Sequence, residues 1–76
     1  MSFGDKLINL RKKKGMSQEE LGEKLGVTRQ TVSKWELGQT TPEMDKLRDI
    51  SILFDVSVNY LMNDNFGDTE EKMLIR

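Results

Sequence analysis

The sequence predicts an all-α protein, a compact five-helix bundle, on three observations. Apolar residues recur at spacings of three and four along residues 3–62, and no stretch alternates with period two for long enough to be a strand. Each apolar segment is preceded by Ser or Thr, and three of them are followed by Gly, the residues that start and stop helices. The chain has 76 residues, the size of one domain, and a domain this short buries only about 60% of its unfolded surface.

The first helix is expected over residues 3–14. Phe3, Leu7 and Leu10 fall at i, i+4 and i+7, Ile8 widens the stripe, and Ser2 stands at the N-cap. Lys12, Lys13 and Lys14 occupy the last turn, where cations oppose the negative end of the helix dipole, and Gly15 ends it. Ser17 opens the second helix, and Glu20 three residues later completes a capping box. Leu21 and Leu25 face inward before Gly26 stops the chain. Thr28 caps a third helix running to about Glu36, with Val32 and Trp35 as its inward pair and Gly38 as terminator. Thr41 is expected to cap the fourth helix, with Pro42 at its first position, where a missing N–H costs nothing. Leu47, Ile50, Leu53 and Phe54 make its stripe. Ser57 caps a short fifth helix with Val58, Leu61 and Met62 inward, and Met44 and Met62 are expected to fill core gaps. The domain is thus residues 1–63. Residues 64–76, DNFGDTEEKMLIR, fall outside the pattern and read as a tail, a short extra helix from Thr69, or the start of a linker.

Composition excludes several classes of function. The chain has no cysteine and no histidine, so disulfides, thiolate and imidazole metal sites and the commonest acid–base group near pH 7 are absent, and no cofactor or metal is expected. No apolar run approaches the roughly 18 residues of a membrane span. MSFGDKLINL lacks the pattern of a secretory signal, which points to a cytoplasmic protein. The formal net charge of −1 hides a polarised chain. Residues 1–42 hold eight Lys or Arg against five acids, net +3, whereas residues 43–76 hold four against eight, net −4. Solvated helix faces account for part of this pattern. Approach to a polyanion, however, is governed by the local field rather than the total.

The most informative stretch is residues 17–38, SQEELGEKLGVTRQTVSKWELG. Gly22 sits inside the second helix, where glycine is disfavoured by roughly 1 kcal/mol against alanine, which suggests that close approach of the third helix outweighs the cost. With Gly26 at the turn and Leu21, Leu25, Val27, Val32 and Trp35 as one apolar face, the pattern matches two helices crossing at about 90–120°, a helix-turn-helix. The second helix of the pair keeps a polar, basic outer face.

QEELGEKLGVTRQTVSKWELG resembles the helix-turn-helix of the Cro/repressor family, the five-helix DNA-binding domains of phage and bacterial regulators, and with its flanking helices the resemblance covers about residues 3–63. It implies a lambda-repressor-like fold with the third helix in the major groove. Gln18 resembles the glutamine that touches a phosphate and braces the first side chain of the recognition helix, with Ser17 beside it, and Thr28 resembles a second phosphate contact. Arg29, Gln30 and Lys34 match positions that face base edges, and Thr31 borders the groove wall. Arg29 suits guanine O6 and N7, and Gln30 suits adenine N6 and N7. Gly38, Gln39 and Thr40 match a segment whose backbone N–H groups meet the sugar-phosphate chain, and Arg11 and Glu36 resemble a buried pair tying the first helix to the third. The sequence departs from the family at Glu43 and Asp45, acids where many relatives carry Lys or Arg, so a phosphate or minor-groove contact is expected to be missing there.

The expectation is a sequence-specific transcriptional regulator, a repressor, that binds a near-palindromic double-stranded operator as a homodimer with half-sites about 34–36 Å apart. The resemblance places the dimer surface near the last two helices, with Phe54, Val56, Val58 and Tyr60 as candidates. The alternative is a protein-interaction module or antitoxin-like partner protein using the acidic residues Asp64, Asp68, Glu70 and Glu71. An enzyme is disfavoured, since a domain this small rarely encloses a substrate cavity.

Overall fold

The structure is a computed structural model, and residues 1–63 are those it describes. Within them lie five helices: α1 Phe3–Lys13, α2 Gln18–Leu25, α3 Arg29–Glu36, α4 Met44–Phe54 and α5 Val58–Met62. The helix starts follow local chemistry. The hydroxyls of Ser2, Ser17, Thr28 and Ser57 each accept a hydrogen bond from a backbone N–H in the first turn that follows. At α2 both limbs of the capping box are made: Glu20 N donates to Ser17 Oγ at 3.0 Å, and Ser17 N donates to Glu20 Oε1 at 2.8 Å. Gly26 ends α2 with φ +72°, a conformation that glycine adopts without a side-chain penalty.

The core gathers Leu7 and Leu10 of α1, Leu21 and Leu25 of α2, Val32 and Trp35 of α3, Ile50 and Phe54 of α4, and Tyr60 and Leu61 of α5. The helix α3 packs on α1 and α2, α4 on α2 and α5, and α5 returns to α1. Two lysines tie neighbouring helices by donating to backbone carbonyls. Lys6 of α1 is fully buried and donates to Tyr60 O and, at 2.8 Å, to Asn63 O, with its ammonium 4.8 Å from the Tyr60 ring centre. Lys46 of α4 donates to Leu25 O at 2.7 Å, reaching a carbonyl in the last turn of α2. Carbonyls in last turns have no helical partner, so cations are suited to them.

Several expectations are corrected. The fourth helix begins at Met44 with Glu43 as N-cap and no side-chain cap bond, so Thr41 is not the cap and Pro42 is not the first helical residue. Pro42 is buried one residue before the cap, where an apolar group can pack against the fourth helical residue, here the buried Leu47. Met44 is 67% exposed and Met62 48% exposed, so neither fills the core. Met62 lies on the side of α5 away from the inward Tyr60 and Leu61, whereas Met44 is the first residue of α4, at the end of the helix beyond the inward Leu47, Ile50 and Phe54. Phe54 and Tyr60 are core residues and cannot form a dimer surface, whereas Val56 and Val58 are half-buried. The expectations for residues 64–76 lie outside the described residues. Among the described residues no helix is long and apolar enough to cross a membrane.

Candidate nucleic-acid interface

The geometry of α3 follows from how its two ends are held. At its start the cause is Gly22. A Cβ at that position would stand 2.7 Å from Val27 O and 3.3 Å from Thr28 C, so only glycine lets α2 approach the cap of α3 this closely. At the other end Gly4 of α1 plays the same part, since a Cβ there would collide with the carbonyls of Trp35 and Glu36. Charge reinforces this end. Arg11 Nε donates to Glu36 Oε2 at 2.7 Å and Arg11 Nη2 to Glu36 Oε1 at 3.1 Å, while Nη1 donates to Met16 O at 3.0 Å. This bidentate pair is the most directional an arginine can make with a carboxylate. The pair foreseen between Arg11 and Glu36 is present, and Glu36 is buried.

Gln18 joins the same cluster: its Nε2 donates to Glu36 Oε1 at 2.9 Å. It therefore braces the last residue of α3, not the first side chain as the resemblance implied. An amide NH2 has two protons, so one remains as the donor Gln18 can offer to a phosphate. Ser17 is engaged with Glu20 through its N–H and its hydroxyl. Thr28 Oγ1 accepts from Thr31 N at 3.2 Å and lies 3.1 Å from Thr31 Oγ1, so these two hydroxyls sit together at the start of α3.

Arg29, Gln30 and Lys34 are exposed, and among the described residues none of the three side chains makes a hydrogen bond or ion pair. Gln30 and Lys34 stand on the side of α3 opposite Val32, Trp35 and Glu36, whereas Arg29 projects from the first helical position, on the edge nearer Glu36. Thr31 is half-buried at the edge of this stripe. Thr40 is exposed, but the backbone reading of its segment is corrected. Gly38 N donates to Trp35 O, and Gln39 N and Thr40 N both donate to Lys34 O, so these N–H groups close the end of α3. Lys12, Lys13 and Lys14 are exposed at the end of α1.

The charges at the helix starts differ in a telling way. The first turns of α1, α2 and α4 carry Asp5, Glu19 with Glu20, and Asp45, which suit the positive end of a helix dipole. At α2 the Ser17 N–H and hydroxyl hold the Glu20 carboxyl below the usual carboxylate range, with a smaller contribution from Lys24. The first turn of α3 has no acid and begins with Arg29. A cation there works against the dipole by about 0.3–1 kcal/mol, so helix stability gives no reason for it.

One residue on this face escaped the sequence reading. Leu37, the C-cap of α3, is 69% exposed. The signal was available, because Leu37 follows Gln30 by seven residues and so returns to the same side of the helix.

Two short helices crossed through a tight turn, the second presenting a polar and basic outer stripe, define a helix-turn-helix protein. The helix-turn-helix family profile matches residues 7–61, and the chain belongs to that family, the Cro/repressor-type DNA-binding domains of phage and bacterial transcriptional regulators. Over 63 residues the chain is 43% identical to the HTH-type transcriptional activator BcrR of Enterococcus faecalis, covering 83% of this chain and 31% of that protein. It is 37% identical to the regulator YqaE of Bacillus subtilis over 71 residues, covering 93% of this chain and 59% of that one. The chain thus spans between about a third and three-fifths of the length of these relatives. Among solved structures, the P22 c2 repressor in complex with a synthetic operator superposes with a TM-score of 0.79 at 30% identity, covering 83% of this chain and 96% of that one. The N-terminal DNA-binding domain of SinR from Bacillus subtilis gives 0.70 at 38%, covering 78% and 87%.

Proposed function

We propose that the chain binds a specific DNA sequence with α3 in the major groove, as a dimer on a near-palindromic operator, and represses transcription by occupying a site that overlaps a promoter. The carrying observation is the outer face of α3: Arg29, Gln30 and Lys34 exposed on a helix whose start has a cation where the other long helices have acids. In this reading Arg29 pairs with guanine, Gln30 with adenine, and Lys34 with guanine or a phosphate. Thr31 lines the groove wall. Gln18 and Thr28 donate to phosphates with the protons their internal bonds leave, Ser17 borders the same phosphate beside Gln18, and Thr40 adds its hydroxyl at the far end of α3. The solved complex of the P22 c2 repressor with its synthetic operator supports this use of the fold. The second copy would meet the surface of α4 and α5 around Ile52, which is 72% exposed, and the half-buried Val56 and Val58. Localisation in the cytoplasm goes with this reading.

A second reading, a module that binds a protein partner, draws support from the solved complex of SinR with SinI. That structure superposes with a TM-score of 0.76 at 35% identity, covering 97% of this chain and 75% of that one.

The test is fluorescence anisotropy on duplexes selected from a random library, or on DNA from upstream of the chain's own gene searched for a short inverted repeat. Specific affinity should fall steeply with salt. Arg29→Ala and Gln30→Ala should each lose about 1–3 kcal/mol of discrimination at one base position while keeping the helical circular dichroism spectrum. Unchanged affinity and preference in both variants would refute the role given to α3.

A further inference from the structure

We infer that Leu37 is a specificity-determining residue that reads the methyl group of a thymine at the flank of each half-site. This rests on the DNA reading above and adds to it a contact of different chemistry. Leu37 has φ −83° and ψ −5°, so the helical screw carries through it, and its N–H donates to Ser33 O at 2.9 Å. At 3.6 residues per turn it lies about 20° around the axis from Gln30 and about 60° from Lys34, on the stripe opposite the buried residues. Gly38 follows with φ +77° and open space around it, so Leu37 is the last side chain of the stripe. A lone exposed leucine is ordinary on a protein surface. This one is the large apolar side chain on the face that carries Gln30 and Lys34, with Arg29 at the start of the same helix, and it is 69% exposed.

Its chemistry limits what it can recognise. Leucine has no donor or acceptor, so it can neither hold a phosphate nor pair with a base edge. The apolar group that the major groove presents is the thymine methyl. Seven residues advance about 10.5 Å along a helix, close to three base steps at 3.4 Å. The thymine therefore lies about three base pairs from the pair that Gln30 reads, toward the C-terminal end of α3.

The test selects duplexes from a random library with the wild-type chain, Leu37→Ala and Leu37→Gln, each checked for helical content by circular dichroism. The wild-type winner is then resynthesised with deoxyuridine in place of the flanking thymine, which removes only the methyl. The expected result is a thymine preference of about four-fold at that position in the wild type, the worth of one buried methyl group, lost in both variants. Deoxyuridine should weaken the wild type by the same factor and leave Leu37→Ala unchanged. An enriched motif that is identical in all three proteins, with no response to deoxyuridine, would overturn this inference and leave the DNA reading standing. Enrichment of no motif at all would overturn both.

Discussion

Removing Arg11 should unfasten the far end of α3. The Glu36 carboxylate accepts from Arg11 at 2.7 and 3.1 Å and from Gln18 at 2.9 Å, with side-chain exposures of 13% for Arg11 and 4% for Glu36. Both groups are therefore out of water, and the modest value of a surface ion pair does not apply. In Arg11→Met the carboxylate stays buried with Gln18 as its remaining side-chain donor, and breaking one partner of a buried pair costs about 3–5 kcal/mol. A 76-residue domain has a total stability of about 4–11 kcal/mol, so this is a large share. At about 4–8 °C per kcal/mol for a domain of this size, the melting temperature should drop by about 12–40 °C. Glu36→Gln should lose a comparable amount by stranding the guanidinium. The double variant Arg11→Met/Glu36→Gln should lose clearly less than the two together, because no buried charge is left. Urea melts followed by circular dichroism measure all three. Additive losses, or a single loss below about 1 kcal/mol, would show that the pair behaves as a surface bridge and that the clamp on α3 is misread.

Three further outcomes follow from the same contacts. Gly22→Ala should destabilise the domain by about 1–3 kcal/mol through its collision with Val27 O, partly offset by alanine's better helix propensity of roughly 1 kcal/mol, and a stabilised variant in urea would contradict the close approach. Lys6→Met removes the ammonium from which Tyr60 O and Asn63 O accept, so hydrogen exchange should quicken in α5 before α2, with a loss of about 1–3 kcal/mol; uniform exchange would refute it. Glu20 has a lowered native pKa, so its stabilising effect is complete above the ordinary carboxylate range and disappears as pH falls through the lowered value. The stability gap between wild type and Glu20→Gln should accordingly be constant near neutrality and close in acid, and a gap that persists at the acid end would rule this out.

What could be read from the sequence was whatever depends on neighbours. The caps Ser2, Ser17, Thr28 and Ser57 act on N–H groups three residues away, so each was legible in place. Gly22 was legible because glycine inside a short helix has a local cost that needs a reason. Pro42 misled because its ring suits both a first helical position and a buried position before the cap, and only packing chooses between them. Lys6 was invisible: a lysine beside Leu7 reads as solvent-facing, and the carbonyls that hold it lie 54 and 57 residues further along the chain. Gly4 was missed for the same reason, since its neighbour is the end of α3. For the candidate site, Arg29, Gln30 and Lys34 were assigned by their places in the motif that the chain resembles; helical phase by itself sets only Gln30 and Lys34 opposite the buried residues. The attachment of Gln18 to Glu36 required the crossing angle of two helices.

The grip of α1 and α2 on both ends of α3 has a wider consequence. Everything that fastens this rod faces inward or sits at its tips, and nothing that fastens it stands on the outer stripe. Side chains there can be exchanged without disturbing the fastening, so new target preferences are open to this scaffold at little risk to folding, whether by natural drift or by deliberate redesign.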